Sequence, residues 1–400
     1  MHEGGSDRGG DLTGSRIGSS PTASLILSII LATGCSDGPS ATAAGLVGAS
    51  IEPPLAGRGP RVNAVDSLRL EETEFHLGRP LGLSVDTTDG SFLIADSYSA
   101  KVFRFARDGR LVQWYGRSGE GPGEFTGLDK VLGLNDTIVV GTDSDRDLLT
   151  RFARDGEGLG STRCDGCWGG VPTVAGDMAF IPAMDIAGRA TLATWDWRRD
   201  VVRKILPQPG PYRRSLEGTQ AFFGIFGGAA LSAWTDTLLV GLVGMNELFL
   251  TAWDGEPLDT LYIPRVRRRG VPPDAQQRID RRDESVSFRD RIEMLSTLYG
   301  VYRMSDRSTL LIHQDNSITG EPPLVEFVSD IHVSVLSPDR TAVCADGPLT
   351  FANQMQVVHT VARDTVFLLD RTLVGTGDAM QSWVRSYRID TTQCDWLPVR

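Results

Sequence analysis

The sequence predicts an all-β fold: a six-bladed β-propeller of four-stranded antiparallel blades, with one helical insertion between blades four and five. Three observations predict it. First, Arg104-Phe105-Ala106-Arg107-Asp108-Gly109 returns as Arg151-Phe152-Ala153-Arg154-Asp155-Gly156, 47 residues later. The same shift carries Asp96-Ser97 onto Asp143-Ser144 and Asp89 onto Asp136, so turns and strand ends keep phase over a whole unit, as in repeat architectures. Second, an aspartate at the head of an apolar strand recurs at Asp89, Asp136, Asp177, Asp236, Asp306 and Asp364. Third, a strand ending in a polar turn follows each of them: KVFRFARDG, DLLTRFARDG, TLATWDWRRD, ELFLTAWDG, HVSVLSPDR and WVRSYRID. Both series reach the same count. A four-stranded sheet cannot bury both faces alone, so the blades stack around an axis and the ring closes to hide its last edge.

The clearest unit runs from Gly82 to Phe125. Its strand-length apolar runs are Leu81 to Val85, Phe92 to Ala95, Val102 to Phe105 and Leu111 to Tyr115. Asp89-Gly90 and Asp108-Gly109 between them are hairpin dipeptides. Val65 to Leu70, just before this unit, is the expected donor of the strand that closes the ring. Gly82-Leu83-Ser84-Val85-Asp86, Ile94-Ala95-Asp96-Ser97, Val102-Phe103-Arg104-Phe105 and Gly119-Glu120-Gly121-Pro122-Gly123-Glu124-Phe125 resemble an NHL-type repeat. On those residues the chain resembles the six-bladed β-propeller lipoproteins of bacterial envelopes, most sharply over residues 78–160.

Residues 1–35 read as a targeting segment of lipoprotein type. Ala23 to Ala32 is apolar, follows Arg16 and leads into Leu31-Ala32-Thr33-Gly34-Cys35, which approximates a lipoprotein cleavage box. The apolar run is about half of the roughly 20 residues a membrane-spanning helix needs. Cys35 is therefore the expected lipidation site, with an ordinary cleaved signal peptide as the alternative. Ser36 after it resembles an outer-membrane address, so the expected location is the bacterial envelope, lipid-anchored, on the outer-membrane or periplasmic side. Residues 36–61, rich in Ala, Gly, Pro and Ser, read as a flexible tether, and residues 62–400 as the propeller.

The period breaks between blades four and five at about 265–298. Helix formers follow Pro272-Pro273, and Ile279, Val286, Ile292, Leu295 and Leu298 recur at roughly helical spacing, which predicts an amphipathic helix over Asp274 to Ser296. This insertion holds Arg265, Arg267, Arg268, Arg269, Arg278, Arg281, Arg282, Arg289 and Arg291. They form either an anion- or headgroup-binding patch or a solvated face balanced by Asp280, Asp283, Glu284, Asp290 and Glu293. The whole chain carries a formal charge of −11 with pI near 5.0, which opposes a polyanion and argues against a nucleic-acid partner.

Chemistry is sparse. Cys164-Asp165-Gly166-Cys167 is a CxxC in a Gly-rich loop, where a local disulfide in an oxidising compartment is the preferred reading over a redox pair or half a zinc site. Cys344 and Cys394 stand singly, and a bridge between them is left open. The histidines past the leader, His76, His313, His332 and His359, show no HxH or HExxH spacing. His359 alone falls on a predicted innermost strand, so it is the candidate metal ligand, with a packed histidine as the ordinary reading. Asp96 and Asp143, recurring in phase, read as turn caps. Gly119 to Gly123 lacks the Lys-Ser/Thr of a phosphate loop and reads as a crossover between blades.

Two functions from different classes remain. The preferred one is a lipid-anchored binding or scaffold module that recognises a protein, peptide or glycan through loops on one face, with Tyr98, Arg146, Asn246 and Asn316 as contacts. No cofactor is expected. The alternative is a metal-dependent propeller hydrolase or lyase, similar to gluconolactonase-like or amidating-lyase enzymes, with its site on the axis.

Overall fold

The computed structural model describes residues 54–400 apart from 73–74, 87, 135–137, 168–169, 184–190, 206–228, 243–244, 273–287, 295, 321–325, 350–357 and 374–379. The leader, Cys35, Asp136, Arg278, Arg281, Arg282 and most of the expected insertion helix lie outside these residues.

The chain forms six antiparallel sheets around an axis. It enters through β1 (Arg61–Arg69). Blade one is β2 (Pro80–Val85), β3 (Phe92–Asp96), β4 (Lys101–Phe105) and β5 (Leu111–Tyr115). Blade two is β6 (Leu128–Gly133), β7 (Ile138–Asp143), β8 (Leu148–Ala153) and β9 (Gly158–Arg163). Blade three is β10 (Thr173–Ala175), β11 (Met178–Pro182), β12 (Leu192–Asp196) and β13 (Val201–Ile205). Blade four is β14 (Ala229–Ala233), β15 (Thr237–Leu242), β16 (Glu247–Ala252) and β17 (Pro257–Tyr262). A short helix, α1 (Phe288–Glu293), precedes blade five. That blade is β18 (Ser296–Arg303), β19 (Thr309–Thr319), β20 (Glu326–Leu336) and β21 (Ala342–Leu349). Blade six is β22 (Val358–Ala362), β23 (Thr365–Leu373) and β24 (Met380–Asp390), completed by β1. The tail returns as β25 (Trp396–Pro398).

The five described aspartates of the first-turn series each precede the second strand of a blade, and the six polar-ended segments are the third strands. Blade five departs from the expected count because β25 pairs with β21 and makes it five-stranded. Closure uses a strand that overlaps the expected Val65 to Leu70 but starts four residues earlier: β1 runs antiparallel to β24 from Arg61↔Asp390 to Arg69↔Trp383 and forms the outer strand of blade six. Gly109 is where this strand presses on blade one. Its φ is +86°, and a Cβ there would stand 2.1 Å from the Arg69 carbonyl oxygen, so no other residue fits that turn.

Burial follows from the stacking. Each junction holds its own apolar cluster, made of the facing sides of two sheets. Leu93, Val102, Phe125, Val131 and Phe152 join blades one and two. Leu83, Phe92, Phe103, Val358, Leu369 and Val384 join blade six back to blade one. Phe125, the last residue of the GEGPGEF segment, is fully buried. Its loop is shaped by Glu124, whose carboxylate accepts the Gly121 N–H at 2.7 Å and pairs with Arg117 at 2.8 Å.

Candidate functional site

First strands run towards the face that carries the first-to-second turns, and there the blades leave open space. Ala175, Gly176, Ser232, Trp234, Thr235, Tyr302, Arg303 and Val361 come from the ends of β10, β14, β18 and β22 or the turns that follow. With Val171, Pro172 and Trp253 they line a cavity of about 600 Å³. Trp253, in the β16–β17 turn, donates its indole N–H to the Trp234 carbonyl at 3.1 Å and packs against Phe180, with ring centroids 5.4 Å apart. Arg303 and Arg340 stack on Trp234, 5.0 and 4.6 Å from its ring centroid.

Deeper on the axis, the Tyr302 hydroxyl and His359 Nδ1 share a hydrogen bond of 2.7 Å. Burial, and secondarily the Lys130 ammonium, lowers the His359 pKa to about 4, so the imidazole is neutral near pH 7. Burial also pushes the Tyr302 hydroxyl far above its ordinary range. Lys130, on β6 across the axis, is held by the Leu81 carbonyl at 2.9 Å and by Asp129 at 2.8 Å. His359 is thus on the innermost strand as expected, bonded to a phenol and facing a cation. Among the described residues no group of three or more His, Cys, Asp or Glu side chains is arranged to hold a metal ion.

The other sequence-predicted residues are dispersed. Tyr98, 83% exposed, tops the β3–β4 turn on the opposite face. Arg146 occupies the matching turn of blade two, where its N–H donates to Asp143 at 3.3 Å. Asn246 is turned inward and binds both the carbonyl and the N–H of Val271, at 2.9 and 3.0 Å. Asn316 lies within β19 rather than in a loop; it is 4% exposed, and its oxygen accepts from Gln314 and Ser329 at 2.8 Å each. The structure does not bring these four together. Cys164 and Cys167 are joined as a disulfide, and so are Cys344 and Cys394, whose Cα atoms lie 5.8 Å apart. The second pair meets because Cys394 sits on the tail that returns beside β21.

Asp96 and Asp143 cap turns and also tie each crossover to its blade. Asp96 accepts the Arg79 N–H on one side and Ser99 on the other. Asp143 accepts the N–H groups of Thr126 and Gly127 at 2.9 and 3.0 Å. Asp315 plays the same part in blade five, accepting the Arg269 N–H at 2.8 Å. Two of the described arginines of the insertion, Arg268 and Arg269, turn inward. Arg268 is 2% exposed and ion-paired with the fully buried Asp346, whose carboxylate also accepts the N–H groups of Arg267 and Arg268 at 2.9 and 3.3 Å. Arg269 binds the carbonyls of Glu293 and Asn316. Arg268 and Arg269 are struts, while Arg267 is exposed. The sequence signal was the RVRRRG run itself, but nothing in it tells that Asp346, 78 residues on, is the partner.

No protein-family model and no curated protein matches the chain. Among solved structures, the fold is similar to that of a DUF4221 family member from Bacteroides vulgatus, with TM-score 0.57, 12% identity, and coverage of 83% of this chain and 99% of that one. It is similar to a putative exported protein from Bacteroides fragilis, with TM-score 0.55, 10% identity, and coverage of 82% and 95%. A virginiamycin B lyase from Staphylococcus aureus follows at TM-score 0.46 and 10% identity, covering 82% and 99%. At these identities the likeness carries the fold and leaves the activity to the site: the chain is a six-bladed β-propeller, and its neighbours are propeller proteins.

Proposed function

We propose that the chain is a lipid-anchored envelope binding module that receives a protein, peptide or glycan ligand at one face of the propeller. The observation that carries this reading is the axial cavity on the turn face. Its volume of about 600 Å³ falls within the range of ligand sites, and such sites combine aromatic walls with a few polar groups. Trp234, Trp253 and Tyr302 provide the walls, and Ser232, Thr235 and Arg303 the polar rim. On this reading the ligand enters here, on the face opposite Tyr98. Two disulfides within one chain support an oxidising compartment, and the apolar segment ending at Cys35 supports export and acylation.

Thr235 is exposed at the cavity rim, so Thr235→Trp should plug the opening without disturbing the core. In a thermal-shift screen of short peptides and oligosaccharides, compounds that stabilise the full chain in detergent should leave this variant unshifted. A screen with no stabilising compound, or one whose shifts survive the plug, refutes the site. The anchor is tested by fractionation: Cys35→Ser expressed in a Gram-negative host should move the protein from the membrane pellet to the soluble fraction. Equal distribution of the two proteins removes the anchor from the reading.

A further inference from the structure

Three sets of hydrogen-bond donors, on Trp234 in the cavity wall and on the two arginines stacked against it, have no acceptor among the described residues. The Trp234 indole N–H is buried without a partner, and so is Nε of Arg340. The Arg303 guanidinium, exposed on the same indole, makes no hydrogen bond or ion pair there either. The carboxylates of neighbouring turns do not answer them. Asp306 accepts the Ser308 N–H at 2.9 Å, Asp339 is bound by Ser337 and Thr341 at 2.6 and 2.9 Å, and Asp364 accepts from Ser305 at 2.7 Å.

The geometry of stacking gives these donors a direction. A guanidinium laid on an indole is fixed by the ring's negative face, yet all its N–H groups lie in its own plane and remain free to bond. Two guanidiniums held on one indole are thus a preorganised pair of forks, and the planar fork matches a carboxylate in bidentate fashion. They stand beside a cavity whose walls suit a ring or a short apolar body. We propose that the axial cavity binds a small organic carboxylate, its body between Trp234, Trp253 and Tyr302 and its acid group on Arg303 and Arg340. This rests on the reading of the cavity as a ligand site and adds the class of ligand.

The same chemistry is offered by an acidic sugar and by a peptide-like acid, so calorimetric titration uses both, each against a neutral counterpart. The probes are digalacturonate with its dimethyl ester, and hippurate with hippuramide. At least one acid should bind the full chain at least about tenfold more tightly than its neutral form, and the acid that does so identifies the source. In the double variant Arg303→Gln/Arg340→Gln that preference should fall to near unity while the neutral body still binds. Trp234→Phe keeps the stacking ring and loses the N–H, and should weaken the acid several-fold but not the neutral form. Melting temperatures close to that of the unmodified chain establish that the variants are folded. Neutral forms that bind as tightly as the acids, or a preference untouched by the double variant, overturn the carboxylate and leave the cavity as a binding site. No binding by any of the four at millimolar concentration overturns both.

Discussion

His359 shows how a single side chain can be placed by the fold and then neutralised by its surroundings. Its pKa falls from an ordinary 6.5 to about 4, so between those values the unfolded chain takes up a proton that the folded ring refuses. The contribution is fully present above pH 6.5 and is lost as the pH falls to 4, by about 1.4 kcal/mol per unit and about 3 kcal/mol in all. His359→Gln should flatten the dependence of unfolding free energy on pH across this window by about one proton, measured by urea unfolding at pH 7, 5.5 and 4. The slope that remains belongs in part to His313, also lowered, first by burial and then by Arg268. Equal slopes for the two proteins would mean that His359 titrates as if exposed. That His359 reaches the axis was legible, because QVVHTV falls in the innermost phase of its blade. That a tyrosine on the preceding blade takes its Nδ1 was not, since it depends on which residues face each other around the ring. The capping aspartates show the same limit. Asp96 and Asp143 stand seven residues after their first-turn aspartates and were readable by phase, whereas Asp315 stands nine after Asp306 and was not.

At the scale of the element, sequence reading worked where the chain repeats and failed where it improvises. In blade one the boundaries expected from Asp-Gly turns and apolar runs agree with β2 to β5 to within a residue or so, because local turn chemistry and local periodicity point the same way. Blade five breaks that agreement. Its β19 and β20 are each 11 residues long and pair throughout, from Thr309↔Leu336 to Thr319↔Glu326, so Asn316, read as a loop residue, is a strand residue locked by Gln314 and Ser329. The segment Trp396–Pro398 is too short to register as a strand, and what makes it one is tertiary. The Cys344–Cys394 bridge fixes its approach, and Asp395 is held by the Arg58 backbone N–H at 2.9 Å. The arginine-rich insertion was legible as a break in the period and illegible as a buttress. Burying Arg268 is tolerable only because Asp346 and the carbonyls of Ile263 and Pro264 occupy its donors, and a buried charge without such partners would cost several kcal/mol.

For the whole molecule the decisive element is the one that is out of sequence order. β1 is mostly exposed, so its own burial contributes little; its effect comes from covering β24, an edge of 11 residues, and from carrying the chain into Leu70 and Leu77, both fully buried in the junction of blades six and one. Without it the ring is an arc. The backbone donors and acceptors of β24 then face solvent as a template for other chains, and the junction loses one of its walls. A chain beginning at residue 70 should therefore lose about 5 kcal/mol or more of unfolding free energy, a large part of what holds an ordinary domain folded, and should elute as aggregate on size exclusion. A chain beginning at residue 55 keeps β1 along with the Arg58–Asp395 contact and should melt like the full chain, which separates loss of the strand from loss of the leader. Supplying residues 61–70 as a peptide to the shorter chain should restore part of the lost melting temperature, because the pairing from Arg61↔Asp390 to Arg69↔Trp383 needs no covalent link. If the chain from residue 70 melts with the chain from residue 55, closure is not what stabilises the ring, and the six interblade clusters suffice without it.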